Sequence, residues 1–242
     1  MMRRFINKIN KNVIYVLAVS VFIGSCSDEA ISPRLTAYNE SVVSYFKEIA
    51  LGFELGNASE ITRRWGSDMK IFIGGHPTSE LLTETNRIVD EINDLSTTGF
   101  KIEIVGDTLQ SNFYIYFGSG ASYAQIFPSL SSHVESNWGL FTLFWDGSNK
   151  FMRGYMYVDV YRANLTEQKH LLREELTQSL GLAKDSYLYP ESIFQQSFST
   201  KTTEYAPIDR DLIRLLYHRE MKVGLNRDEV DNLLRDILLA EQ

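Results

Sequence analysis

The sequence of 242 residues contains a single cysteine, Cys26. One cysteine cannot form a disulfide within the chain, so the fold must be held together by its hydrophobic core. The sequence also lacks a G-x-S-x-G nucleophile elbow, an internal repeat and a low-complexity segment. These absences exclude a disulfide scaffold, a repeat protein and a serine hydrolase of the elbow type.

An excess of positive charge is also missing. The first 25 residues contain four of the 24 Lys and Arg residues and none of the 31 Asp and Glu residues, so the remaining chain has a net charge of −11. Such a chain is repelled by phosphate groups. We therefore expect no nucleic-acid partner and no binding of the domain to anionic membrane surfaces.

The first 25 residues have the pattern of a bacterial signal peptide. Four basic residues precede an apolar run over 13–23, which is short for a membrane span. Gly24-Ser25-Cys26 follows and resembles a lipobox, in which a peptidase cuts before a cysteine that carries lipid. The alternative is an ordinary signal peptide or a short anchor with a chance cysteine.

The lipobox resemblance implies a lipid anchor at Cys26 in a Gram-negative cell envelope. Ser27 favours the outer membrane, and the sequence leaves the periplasmic or surface side open. We therefore expect three parts: a signal peptide over 1–25, a tether over 26–34 and a single domain over 35–242.

Hydrophobic periodicity predicts alternating helices and strands in this domain. Helices are expected at about 35–55, 79–95, 208–217 and 228–240. Strands are expected at 69–73, 100–105, 112–117, 140–145 and 151–160. A further helix follows 164, where Asn164 and Glu167 have the spacing of a capping box.

This capped helix carries the sequence Arg-Glu-Glu-Leu-Thr-Gln-Ser-Leu-Gly-Leu over 173–182. Zincin peptidases have H-E-x-x-H on a helix, with the histidines as zinc ligands and the glutamate as general base. In this alignment Glu174 and Gln178 occupy the histidine positions and Glu175 occupies the base position. Gly181 lies where the zincin helix ends.

Three later segments strengthen the comparison: Ser-Ile-Phe over 192–194, Leu-Ile-Arg-Leu-Leu-Tyr over 212–217 and Val-Gly-Leu over 223–225. Together with the helix, they resemble a bacterial family of domains of unknown function grouped with the zincins. The resemblance implies an α+β, metzincin-like domain with a mixed twisted sheet and a helical C-terminal part. Phe194 stands where active metzincins place a methionine.

The metal chemistry implied by this resemblance is altered. Gln178 offers only a neutral amide, and the third zinc ligand of metzincins would fall at Lys184. His170, Glu174 and Asp185 are the remaining candidate ligands. Zinc bound by them is one alternative, and calcium bound by the oxygen atoms of Glu174, Gln178 and Asp185 is another.

Without a metal, Glu175, Glu174 and Gln178 remain the candidate catalytic residues. A glutamate and a glutamine can activate water directly, as in glutamic peptidases, if burial raises the pKa of the carboxyl group. The alternative is a solvated helix face without a chemical role.

Aromatic residues are concentrated between 114 and 157, where they indicate either sheet packing or a cleft for an extended peptide or a glycan. The sequence therefore predicts a pseudo-peptidase or atypical hydrolase that binds or acts on peptide or protein. A non-catalytic binding or assembly module of the envelope and an active zinc peptidase are the alternatives.

Overall fold

Helices and strands alternate along most of the chain, which ends in two helices. The computed structural model describes residues 34–197 and 202–242, and within them are six α-helices and six strands. The helices are α1 (Ala37–Ile49), α2 (Ser79–Leu95), α3 (Gly120–Ile126), α4 (Leu165–Gln178), α5 (Pro207–Leu216) and α6 (Arg227–Ala240). The strands are β1 (Arg64–Trp65), β2 (Met69–Gly75), β3 (Ile102–Val105), β4 (Phe113–Gly118), β5 (Gly139–Trp145) and β6 (Lys150–Asp159).

The six strands form one mixed sheet in the order β1-β6-β4-β2-β3, and β5 also pairs with β6. All pairs are parallel except β5 with β6, which run antiparallel and are joined by a turn at Asp146. Within the described ranges β5 pairs with no strand other than β6. One edge of the sheet is therefore an antiparallel strand with a free side.

Successive side chains along a strand belong alternately to two hydrophobic clusters. In β4, Phe113, Ile115 and Phe117 belong to the main core, whereas Tyr114 and Tyr116 pack in a second cluster around Tyr123 of α3. Successive side chains of a strand point to opposite faces, so both faces of the sheet are covered. The sequence predicted this for β4 because apolar residues alternate there with tyrosines.

The expected class is confirmed: the domain is α+β, with a mixed sheet and a helical C-terminal part. The predicted order, in which a helix, a strand, a second helix and several strands precede the site helix, is also the observed order. α4 packs against β5 and β6 and also contacts α2. The candidate site therefore lies beside the antiparallel edge of the sheet.

One detail of the prediction is wrong. The first helix ends at Ile49 rather than near Leu55, because Gly52 adopts a φ of +101°, which breaks the helix while Leu51 stays buried. The loop after α1 becomes important because it lines the candidate site.

The predicted signal peptide, Cys26 and all of the tether except Arg34 lie outside the described residues. Arg34–Gln242 form one compact unit. Among the helices of 34–197 and 202–242, none is both long and apolar enough to cross a membrane.

Candidate functional site

The site helix α4 has well-defined ends. At its start Asn164 accepts hydrogen bonds from two backbone amides of the first turn, and Glu167 accepts one from the Asn164 amide at 2.7 Å, so the predicted capping box is present. Just past its end Gly181 has a φ of +121°, and a Cβ there would lie 2.1 Å from the Arg63 carbonyl oxygen. A glycine is therefore required where the helix ends.

Glu174, at the first histidine position of the zincin motif, pairs with His170 one turn earlier. The His170 Nε2 and Glu174 Oε2 atoms are 3.3 Å apart, and His170 Nδ1 lies 2.8 Å from the carbonyl oxygen of Thr202. A carbonyl can only accept, so Nδ1 carries a hydrogen. Burial lowers the pKa of His170, but the hydrogen bond and negative charge of Glu174 outweigh burial and raise it overall.

Gln178, at the second histidine position, contacts Asp185. Its Nε2 atom donates a hydrogen bond to Asp185 Oδ1 at 2.5 Å. Burial, followed by the negative charges of Glu174 and Glu54, raises the pKa of Asp185 to about 8. The structure thus brings together Gln178 and Asp185, which the sequence placed at one site, through an amide–carboxyl hydrogen bond.

Glu175, at the base position, is buried rather than on a solvated helix face. It is 8% exposed, and its carboxyl group has no hydrogen-bond partner within residues 34–197 and 202–242. Burial raises its pKa well above the ordinary value, and the charges of Glu174, Asp185 and Glu54 raise it further. Glu175 therefore binds its proton more tightly than an exposed glutamate does.

Space for the Glu175 carboxyl group depends on Gly139 at the start of β5. A Cβ at position 139 would lie 2.6 Å from Glu175 Oε1 and 2.9 Å from Glu175 Cγ. No side chain can occupy this place without displacing the glutamate. The sequence offered no sign of this contact, since the two residues are 36 positions apart.

Glu175 and Gln178 line a cleft of about 570 Å³. Its other walls are the loop after α1 (residues 53–58), five consecutive residues of β5 (139–143) and the side chains of His133 and Trp145. Residues on one face of a strand alternate, so five consecutive residues line a cleft only where the edge of the strand borders it. The free side of β5 is thus one wall of the cleft.

Aromatic rings form another part of the wall. Phe53 stacks on Trp145 with a centroid distance of 5.4 Å, and Phe141 lies 6.5 Å from Phe53. The guanidinium of Arg63 lies 4.8 Å from the Trp145 ring. Of the aromatic residues between 114 and 157, Tyr116 packs in the second core, as the sheet-packing interpretation expects, whereas Phe141 and Trp145 line the cleft.

The donors at the site do not suit zinc. Gln178 uses its amide on Asp185, Glu174 is paired with His170, and Lys184 at the third ligand position lies 3.3 Å from Glu60. In the described part of the chain no group of three or more His, Cys, Asp and Glu residues is arranged to hold a metal ion. The same arrangement leaves calcium without a set of free oxygen donors.

Sequence reasoning missed several residues of this cleft. Phe53 and Glu54 were assigned to a helix, although they lie in the loop after α1. His133 was not connected with any motif, yet it lines the cleft. Only the packing of the loop against β5 and α4 brings these residues to the site, so no local pattern could identify them.

Comparison with known proteins identifies a family but no function. The family model described as protein of unknown function (DUF2927) matches residues 39–236. No curated protein matches the sequence. Two solved structures of myroilysin are similar. One is 12% identical with a TM-score of 0.41 and covers 65% of this chain and 97% of its own. The other is 14% identical with a TM-score of 0.40 and covers 77% of this chain and 98% of its own.

Proposed function

We propose that this protein, which belongs to the family of proteins of unknown function DUF2927, binds an extended segment of peptide or protein in the cleft beside β5. In this proposal it is a pseudo-peptidase of the cell envelope, in which the zincin helix shapes a binding site and does not hold catalytic zinc.

The free edge of β5 is the observation that carries the proposal. An extended peptide can add to an unpaired strand through backbone hydrogen bonds, while pockets beside the strand accept alternate side chains. Residues 139–143 line the cleft one after another, and Phe141 and Trp145 supply apolar surface next to them. This combination suits a peptide in extended conformation.

The raised pKa of Glu175 supports binding over zinc-type hydrolysis. A general base must be ionised near neutral pH, whereas burial and three neighbouring carboxyl groups raise the pKa of Glu175.

Hydrolysis without metal is the second candidate. Glu175 and Gln178 line the same cleft, which is the pairing that a glutamic-peptidase mechanism requires. A glutamate with a raised pKa is suited to donate a proton to a leaving group. Loss of cleavage in Glu175→Gln would identify this activity.

The proposal is tested on the full-length protein purified in detergent with a library of fluorescent peptides. Anisotropy measures binding, mass spectrometry detects cleavage, and elemental analysis measures metal in the same sample. We expect saturable binding, intact peptides and no effect of a chelator. Stoichiometric zinc together with cleavage that disappears in Glu175→Gln would contradict the proposal.

Two phenylalanines provide a matched pair of variants. Phe141 and Phe72 are both half-buried on strands, but only Phe141 lines the cleft. We expect Phe141→Ala to weaken peptide binding about fivefold or more, as for a contact worth above about 1 kcal/mol. Phe72→Ala should bind as the wild type does. Equal losses in both variants would indicate a general effect on the fold.

We further propose that Cys26 carries lipid and holds this domain at a Gram-negative envelope membrane, with the outer membrane favoured by Ser27. The lipobox-like sequence before Cys26 supports this anchor. Several acyl chains on one residue give stable anchoring.

A further inference from the structure

Acidic side chains outnumber basic ones in the lining of the cleft, where His133 is the one titratable base among the described residues. Glu54 and Glu175 both line it, whereas no Lys or Arg of the described residues does. Arg63 contacts the aromatic wall through the ring of Trp145, but it donates hydrogen bonds to Ser59 and is 4% exposed. Arg63 is therefore committed to the protein and cannot neutralise the cleft.

The two carboxyl groups lie at different depths. Glu54 is exposed at the mouth, and Glu175 is more than nine-tenths buried and lines the cleft without a hydrogen-bond partner among the described residues. An ionised carboxyl group at this depth is poorly solvated, which costs free energy. A ligand that brings a donor or a positive charge to Glu175 removes this cost.

Two more carboxyl groups reinforce the negative potential from behind the cleft. Glu174 raises the pKa of Glu54, after burial as the larger cause, and Glu174 and Asp185 both raise that of Glu175. His170 lies beside these carboxyl groups and pairs with Glu174. Lys184 is close in sequence but pairs with Glu60.

We infer that the cleft selects a peptide with a lysine or arginine side chain, whose positive charge contacts the carboxyl groups of Glu54 and Glu175. The inference rests on the proposed peptide binding and specifies its ligand. The long aliphatic part of either side chain suits the rings of Phe53, Phe141 and Trp145. A peptide side chain fits better than a bare metal ion, because the described residues provide no group of three metal-binding side chains.

The inference is tested with four fluorescent peptides that differ only at a central Lys, Arg, Gln or Glu. Anisotropy is measured with full-length protein in detergent at low and high salt. We expect the Lys and Arg peptides to bind at least tenfold more tightly than the Gln peptide, and the Glu peptide most weakly. The preference should fall at high salt because the charge interaction is partly exposed.

Matched variants test which residues cause the preference for a positively charged peptide. Glu54→Gln and Glu175→Gln should each reduce the ratio of Lys to Gln peptide affinity at least threefold. Glu60→Gln, in the same loop region but outside the cleft, should leave the ratio unchanged. Circular dichroism checks that all three variants are folded.

The possible failures are distinguishable. If none of the peptides binds, the proposed function is wrong. If the Lys and Gln peptides bind equally, peptide binding stands and the charge selection is wrong. If calcium at millimolar concentration displaces the Lys peptide with one ion per protein, the cleft is a metal site and the inference is also wrong.

Discussion

Among single residues, Glu175 and Asp185 govern the electrostatics of the site. Both are surrounded by other carboxyl groups, and burial raises the pKa of each. Asp185 has a hydrogen bond from Gln178 that partly offsets this effect, whereas Glu175 has no such bond within the described chain. The site therefore holds protons that the same residues would lose in the unfolded chain.

These protons predict a pH dependence of stability. The pKa of Asp185 rises from 3.8 to about 8 on folding, so the folded state binds more protons than the unfolded state between these values. Stability should therefore fall as the pH rises from about 4 to 8. Thermal unfolding across this range should show a steeper decline for the wild type than for Asp185→Asn.

The exposed residue Asp236 of α6 provides the control for this experiment. Asp236→Asn should retain the wild-type slope. A difference of about 1 kcal/mol corresponds to a shift of roughly 2–4 °C in a chain of this size, which calorimetry resolves. Parallel slopes for the wild type and Asp185→Asn would show that Asp185 does not hold its proton in the folded state.

A second residue-scale prediction concerns Gly139. Because a Cβ there would lie 2.6 Å from Glu175 Oε1, Gly139→Ala should lower the free energy of unfolding by about 1–3 kcal/mol and weaken peptide binding. In the double variant with Glu175→Ala the added methyl group has room, so its cost should decrease. Chemical denaturation of the wild type, the two single variants and the double variant gives the coupling free energy between positions 139 and 175.

Gly147 serves as the control for this variant, because a Cβ there meets no atom within 4 Å. Gly147→Ala should change stability much less than Gly139→Ala. Strictly additive effects of Gly139→Ala and Glu175→Ala would mean that the two residues do not compete for the same space.

At the scale of elements, a buried ion-pair network holds α4 in place. Arg173, which directly precedes the two glutamates of the motif, is fully buried and contacts Glu84 and Glu91 of α2 at 3.0 Å. Its guanidinium lies 4.3 Å from the ring centroid of Tyr205, just before α5. Arg173 therefore connects α4 with α2 and with the segment that precedes α5.

This network predicts a large loss of stability in Arg173→Met. The substitution keeps an aliphatic side chain but leaves two glutamates without their buried partner, which should cost about 3–5 kcal/mol. Arg87→Met is the matched control, since Arg87 pairs with Glu84 and Glu91 while 40% of its side chain is exposed. It should cost below about 1 kcal/mol. Urea titrations measure both, and equal losses would contradict the assigned role of Arg173.

At the scale of the whole molecule, lipid on Cys26 would tether a negatively charged domain to a membrane whose surface does not attract it. We expect Cys26→Ser to move the protein from the membrane to the soluble fraction of a Gram-negative host. Ser32→Ala, in the same tether, should stay in the membrane fraction. Mass spectrometry of the N-terminal peptide should find acyl chains on residue 26 of the wild type. Unmodified Cys26 in that peptide would contradict the proposed anchor.

Much of the fold was predictable because its signals are local. The bounds of α2 were predicted exactly, at Ser79 and Leu95, and the capping box of Asn164 and Glu167 formed as expected. Periodic apolar residues and side-chain caps act within one or two turns, so a single sequence reveals them. The first helix was predicted too long because Phe53 continues the apolar pattern after the backbone has left the helix.

The sequence by itself determined the helices and strands, the place of the altered motif and the residues available for chemistry at 170, 174, 175, 178 and 185. Only the tertiary structure decided that Glu175 is buried without a partner and that Glu54 and Gly139 join it at one cleft. The physical reason is separation along the chain. Glu54 and Glu175 are 121 residues apart, and their proximity depends on how the loop after α1, β5 and α4 pack together.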